Sequence, residues 1–263
     1  MNRIQLYLSH PHDCSYLEAR LARTLFLDPQ AALDNALYAE LISQGFRRSG
    51  GMIYRPACDG CGQCLSSRIP VTLFQPRRSQ RRVLEKWLEV ETVVHPASFA
   101  EEQFALYNKY VDARHPEGGM TGVSEVRYME FLSSQWSETL FVEFRLAGRL
   151  IAVAVTDLLP AGLSAVYTYF DPEYGKMSPG VFAILWQIEE TNRRRLPHLY
   201  LGYLVPDCLK MRYKAEYRPL EIYSPQQERW LPWAASPPSR AIDGSAEAGA
   251  TPADRVRSWP ISN

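Results

Sequence analysis

Residues 139–170 read TLFVEFRLAGRLIAVAVTDLLPAGLSAVYTYF. Apolar and polar residues alternate over Thr139–Leu146, the period of a strand with one buried face. Ala147-Gly148 supplies a turn, and Arg149–Leu158 is then a nearly unbroken apolar run, as in a strand covered on both faces. Pro160–Gly162 turns the chain again and Leu163–Phe170 returns. Strands joined this tightly predict an antiparallel meander. Asp157 interrupts the apolar run near its end. It either caps a turn or is buried, and a buried carboxylate must be paired or functional.

Reading downstream, DPEYGKMSPG (171–180) leads into a helix from Pro179, with Ser178 as N-cap and Val181, Leu185 and Ile188 facing inward. Pro197 stops it, His198–Leu204 reads as a fourth strand, a basic helical segment follows, and Leu220–Tyr223 is a last strand. Upstream, Ser79–Val90 reads as a helix through Val83, Leu84, Trp87 and Leu88. Ser98 and Glu101 form a capping box for a second helix reaching Arg114, and Ser124–Ser133 reads as a third. Helices, a meander, a helix and more strand predict an α/β fold of the α+β type: a mixed, mainly antiparallel acyltransferase-like sheet with flanking helices, rather than a doubly wound sheet. The expected domains are a small Cys/Arg-rich, loop-rich region at 1–75 with one helix over Asn35–Gln44, a transferase-sized domain at 76–230, and a disordered tail at 231–263.

Twenty-nine basic and 29 acidic residues balance overall, but the distribution is uneven. Eight arginines lie between Arg47 and Arg82 against one acid, Asp59. The planar guanidinium fork suits phosphate, although partners elsewhere in the fold would serve equally. Arg193, Arg194 and Arg195 sit where a helix should end, a position that favours cations by itself. No stretch has membrane-spanning length, and the opening MNRIQLYLSHPHDCSY lacks a leader pattern, so a cytoplasmic location is expected. The five cysteines are odd in number and argue against a disulfide framework.

Four constellations could carry chemistry. Cys58, Cys61 and Cys64 stand at a pitch that lets three thiols meet one metal, with Cys14 as fourth ligand; zinc and an iron–sulfur cluster are both allowed, and so are reduced thiols in a small core. Cys208 reads as a small buried side chain. Tyr107, Tyr110 and Arg114 share a helical face that ends at His115, a base or a cap. Asp157, Tyr167, Tyr169 and Asp171 lie on the meander and its exit. Tyr203 is followed by Lys210-Met211-x-Tyr213-Lys214, whose two lysines share a helical face and could hold phosphate or a carboxylate, or simply be solvated.

The runs Tyr54-Arg55-Pro56-x-Cys58-x-x-Cys61-x-x-Cys64-x-x-x-Arg68-Ile69, Ser164-x-Val166-Tyr167, Asp171-Pro172, Tyr200-Leu201-Gly202-Tyr203 and Lys210-Met211-x-Tyr213-Lys214 resemble, in order, the arginyl-tRNA–protein transferase family. The layout is similar to its bacterial branch, which moves leucine from leucyl-tRNA to proteins with N-terminal Asp or Glu and so feeds N-end rule degradation. The resemblance implies a GNAT-type domain. Eukaryotic relatives suggest a metal or iron–sulfur role for Cys14, Cys58, Cys61 and Cys64, while the chemistry itself needs no cofactor. On this reading Asp157, then Asp171, orients the amine and Tyr167 or Tyr203 meets the oxyanion. Arg114, His115, Lys210 and Lys214 bind substrate, and Arg55, Arg68, Arg77, Arg78, Arg81 and Arg82 track tRNA phosphates. Two alternatives are an acetyl-CoA-dependent acyltransferase, whose pyrophosphate loop is not matched by Tyr174–Gly180, and a non-catalytic metal-dependent RNA-binding protein.

Overall fold

The computed structural model describes residues 3–114, 121–234 and 257–260. The chain opens with β1 (Arg3–Leu8), a short pair β2 (His12–Asp13) and β3 (Leu21–Ala22), β4 (Thr24–Leu27), α1 (Asn35–Ser43), β5 (Arg47–Ser49) and β6 (Met52–Pro56). Next come β7 (Leu65–Pro70), α2 (Arg78–Lys86), β8 (Val90–Pro96), α3 (Glu101–Arg114) and α4 (Glu125–Leu132). The meander is β9 (Glu138–Leu146), β10 (Arg149–Leu159) and β11 (Gly162–Phe170). It is followed by α5 (Pro179–Arg193), β12 (His198–Leu204), β13 (Glu221–Ser224), β14 (Arg229–Pro232) and β15 (Arg257–Pro260).

The large sheet runs β14-β13-β7-β12-β11-β10-β9-β8, antiparallel throughout except between β11 and β12. Its middle is covered twice. Ile151, Ala152 and Ala154 of β10 pack with Phe182, Leu185 and Ile188 of α5. Val153 and Val155 pack with Leu106, Tyr107 and Val111 of α3 and Leu132 of α4. A strand with helices on both faces has no polar side, which is why Arg149–Leu158 reads as one apolar run.

The region expected to be loop-rich is instead a second sheet, ordered β15-β1-β4-β6-β5, with α1 packed through Tyr38, Leu41 and Ile42. The expected boundary at residue 75 also fails. Strand β7 is central in the large sheet, between β12 and β13. Its sequence, LSSRIP, hides this because its polar side chains are consumed locally. Ser66 Oγ donates to the Gly45 carbonyl (2.7 Å) and Ser67 Oγ to that of Gly202 (2.9 Å). Arg68 pairs with Glu221 (2.6 Å) over the Trp230 ring. The helix expected to reach Val90 stops at Lys86, and Val90–Pro96 becomes an edge strand with mostly exposed side chains. The next helix starts at Glu101, beyond the expected Ser98 cap. Ser178 is left-handed (φ 59°) and its side chain caps nothing. Of the expected tail, Leu231 and Pro232 lie in β14, and β15 pairs with β1; residues 235–256 and 261–263 lie outside the described residues.

The two sheets are joined by a buried ion pair. Arg48 on β5 grips Asp157 on β10 through Nε–Oδ2 and Nη2–Oδ1, both 2.6 Å, with side chains 1% and 0% exposed. Tyr38 of α1 donates to the same carboxylate at 2.7 Å and so does Thr139 of β9. Arg48 Nη2 also donates to the Leu132 carbonyl at the end of α4 (2.9 Å). Removing one partner strands a buried charge. Asp157→Asn should therefore lower the unfolding free energy by about 3–5 kcal/mol in urea titrations, and a loss under about 1 kcal/mol would contradict the anchoring role.

Candidate functional site

Strands β11 and β12 run parallel but are paired only through Gly162–His198, Leu163–Leu199 and Ser164–Tyr200. Beyond Ser164 the ladder ends while both strands continue, so they part toward their C-terminal ends. At the same level β12 carries a bulge against β7 between Tyr200 and Gly202, and Gly202 has φ +81°. A bulge with glycine in this conformation re-aims the backbone and leaves room above the strand.

One wall of the seam is aromatic. The Tyr167 ring lies 5.3 Å from Phe131, 6.3 Å from Tyr110 and 6.4 Å from Tyr107, centroid to centroid. Its hydroxyl is buried with no hydrogen-bond partner among the described residues. Burial, reinforced by Tyr110 and Tyr107, pushes its pKa well up, so it is a neutral donor at any working pH. Tyr213, 43% exposed, lies within electrostatic reach of Tyr110 and extends this wall toward solvent.

The other wall is cationic. Lys214 is 6% exposed and donates to the Tyr203 carbonyl at 2.7 Å. Burial first, and Arg47 second, push its pKa down to about 7. Arg47, also 6% exposed, donates through Nη2 to the Ser67 carbonyl at 3.1 Å.

Several expected roles change with this geometry. Asp157 is enclosed by its three partner side chains and cannot reach an incoming amine. Asp171 caps the turn that follows it, through the Glu173 amide, and pairs with Lys109 (2.8 Å) and Arg149 (2.7 Å). Burial opposes its charge, but those bonds outweigh burial and hold its pKa below the usual value. The Tyr203 hydroxyl donates to the carbonyls of Gly45 (3.3 Å) and Tyr54 (3.2 Å) and ties β12 to the small sheet, so it has no place as an oxyanion donor. Lys210 and Lys214 do not share a helical face. Only a short 3-10 turn forms, over Arg212–Glu216; Lys210 is exposed ahead of it and Lys214 is buried in it. Arg114 ends α3 within hydrogen-bonding reach of Tyr110, and His115 lies outside the described residues.

The expected phosphate face also divides. Arg47 and Arg48 are interior, and Arg68 is paired within the sheet. Arg55 sits over the Phe46 ring, and Arg77 pairs with Glu216. Arg78, Arg81 and Arg82 remain exposed on α2. The cysteines are free thiols. Cys58 Sγ accepts from the Arg23 amide (3.4 Å) and Cys61 Sγ from Arg20 (3.8 Å). Burial, then Cys58, Cys14, Cys61 and Cys208, push Cys64 up to about 12. The thiols are thus gathered in one neighbourhood, yet no three His, Cys, Asp or Glu side chains among the described residues are grouped so as to hold a metal ion. Cys208 is buried, as expected for a small side chain.

Residues 12–82 match the family model "Arginine-tRNA-protein transferase, N terminus" and residues 102–224 match its C-terminal counterpart. A Pseudomonas aeruginosa protein named aspartate/glutamate leucyltransferase is 48% identical over 229 residues, 87% of this chain and 97% of that protein. The chain belongs to the arginine-tRNA-protein transferase family. A relative of the same name from Alcanivorax borkumensis is 50% identical over 222 residues, 84% of this chain and 92% of that protein. Among solved structures, the C-terminal domain of a putative lysylphosphatidylglycerol synthetase from Agrobacterium fabrum superposes with a TM-score of 0.42 at 12% identity, covering 54% of this chain and 47% of that one. No helix among the described residues is long and apolar enough to cross a membrane.

Tyr38 and Thr139 are parts of this arrangement that the motifs did not single out, because each acts through a partner elsewhere in the chain, and Arg47 stands in the arginine cluster of the sequence but turns inward to the Ser67 carbonyl. The depressed Lys214 pKa has a measurable sign. The unfolded chain holds that proton up to the ordinary lysine value near 10.5, whereas the folded chain releases it near 7, so this group adds stability as pH rises between those values. Lys214→Met should flatten the rise of the urea midpoint between pH 7 and 9, and an unchanged slope would count against the assignment.

Proposed function

We propose that the protein transfers leucine from leucyl-tRNA to the α-amine of proteins that begin with Asp or Glu. The observation that carries this reading is 48–50% identity, over more than nine-tenths of their lengths, to proteins named for that activity. Aminolysis of an aminoacyl ester is downhill, so alignment of amine and ester supplies much of the rate. A protein α-amine has a pKa of about 7.7–8.0, so a useful fraction is neutral at pH 7 and no strong base is required. The C–N bond forms, the bond to the ribose 3′ oxygen breaks, and the proton lost by the amine passes through water to that departing oxygen.

Tyr167 supports this chemistry best of the residues in the seam. Its hydroxyl lacks a hydrogen-bond partner among the described residues, so its single proton is available to the ester oxygen as negative charge develops there. Tyr167→Phe should cut turnover by about 100-fold. It should leave stability unchanged or raise it by about 1 kcal/mol, because a buried unsatisfied hydroxyl is removed. Undiminished transfer would exclude this role. The acceptor stem would lie along α2, where Arg78, Arg81 and Arg82 are exposed. Replacing all three by alanine should raise KM for leucyl-tRNA and reduce the log–log salt slope by about 2–3; a slope equal to that of the parent protein would place the tRNA elsewhere. The activity itself is tested by offering leucine and arginine, each charged on tRNA, to Asp-, Glu- and Ala-started reporters. Leucine is expected on the acidic termini alone, and arginine in its place would overturn the donor assignment.

A further inference from the structure

Arg47 and Lys214 are two cations buried side by side with no carboxylate in contact with either among the described residues. Arg47 Nε and Nη1 have no hydrogen-bond partner there. Lys214 makes one hydrogen bond to oxygen, at Tyr203, and a 4.0 Å contact with Met211 sulfur, so part of its donor capacity is unused. The groups that surround the pair electrostatically are tyrosine hydroxyls and cysteine thiols. Burial on these terms is costly, since buried charges are ordinarily paired.

Both cations border the same small space. A Cβ added to Gly202 would lie 3.7 Å from Lys214 Nζ and 3.9 Å from Arg47 Nε, with nothing nearer. Glycine leaves the position between the two side chains without a Cβ, and the residue is itself half-buried. Unused donors of a guanidinium and an amine directed at one position are the chemistry that recognises an oxygen-bearing anionic end group.

We infer that the space above Gly202, between Arg47 and Lys214, receives the side-chain carboxylate of the N-terminal Asp or Glu of the acceptor protein. This deepens the proposed function and rests on it. Burial favours a carboxylate over a tRNA phosphate. Arg47 and Lys214 are each only 6% exposed, so a group that reaches them must be a chain end, as a side-chain carboxylate is, whereas a phosphodiester carries two ribose substituents. The exposed arginines of α2 offer phosphates a solvated alternative. A bound carboxylate supplies the missing counter-charge and holds the proton on Lys214, whereas an asparagine or glutamine amide leaves Arg47 unmatched and Lys214 free to lose its proton, so selection against the neutral amides is built into the pair.

The test compares leucyl transfer to Asp-started and Asn-started peptides by the parent protein and by Lys214→Met and Arg47→Met. Each lost charged contact is expected to reduce the Asp-over-Asn preference by about 10–100-fold. A preference left intact, with KM for leucyl-tRNA raised instead, would overturn the inference and give the cradle to a phosphate. If the variants fail to fold, a crystal structure of the parent protein with an Asp-started peptide decides: carboxylate oxygens within hydrogen-bond distance of Arg47 and Lys214 support the inference, and any other seat refutes it. A parent protein that transfers no leucine to any peptide would instead refute the underlying activity, so the two failures are distinct.

Discussion

The bond between Arg48 and Asp157 is the constraint on which the rest of the architecture depends. Four elements converge on one carboxylate: β5 through Arg48, α1 through Tyr38, β9 through Thr139, and β10, which carries it. Successive residues of a strand point to opposite sides. With Arg48 drawn into the Asp157 network, its neighbour Arg47 faces the other way, toward Ser67 on β7 and the Tyr200 ring on β12. One buried ion pair thus fixes the orientation of a residue in the seam through backbone geometry alone. Buried pairs of this kind add little net stability against an apolar replacement, but they specify a unique arrangement, and here that arrangement sets two sheets in register.

The seam has two walls of different chemistry. The aromatic wall of α3 and β11 offers flat apolar rings and the Tyr167 hydroxyl, which has no hydrogen-bond partner among the described residues. The cationic wall offers guanidinium and ammonium groups held away from water. Under the proposed function, a donor that presents an ester and an acceptor that presents an amine beside an acidic side chain make opposite demands on a site, and two walls of different chemistry would meet those demands separately. The aromatic wall is built on β11 and on the helices α3 and α4 packed against it, so its spacing follows from the sheet, whereas the cationic wall joins Arg47 of β5 to Lys214 of a 3-10 turn.

What the sequence disclosed followed the physics of each signal. The meander was legible because its periods are strong and its turns short, and α4 because Ser124 accepts from the Arg127 amide as a capping serine should. The small sheet was not, since most of its strands are only three to five residues long, and β7 was masked by serines whose hydroxyls bond backbone carbonyls. Asp157 was recognised as significant from its apolar surroundings, but whether such a carboxylate meets a substrate or a buried arginine depends on Arg48, distant along the chain. The spacing of Lys210 and Lys214 suggests a shared helical face, but a tight 3-10 turn places Lys214 inside and leaves Lys210 outside.

The placement of β7 governs how the polypeptide can acquire its shape. This strand is made before both of its neighbours, β12 and β13, which lie in the segment 198–224. Until that segment is translated the two edges of β7 have no mates, so neither half of the chain can complete its sheet alone. Contacts between segments so far apart in sequence carry a large loop-closure entropy and slow the search. The large sheet therefore closes only after that segment is made, and splitting the chain between the two matched family segments would leave a gap within that sheet.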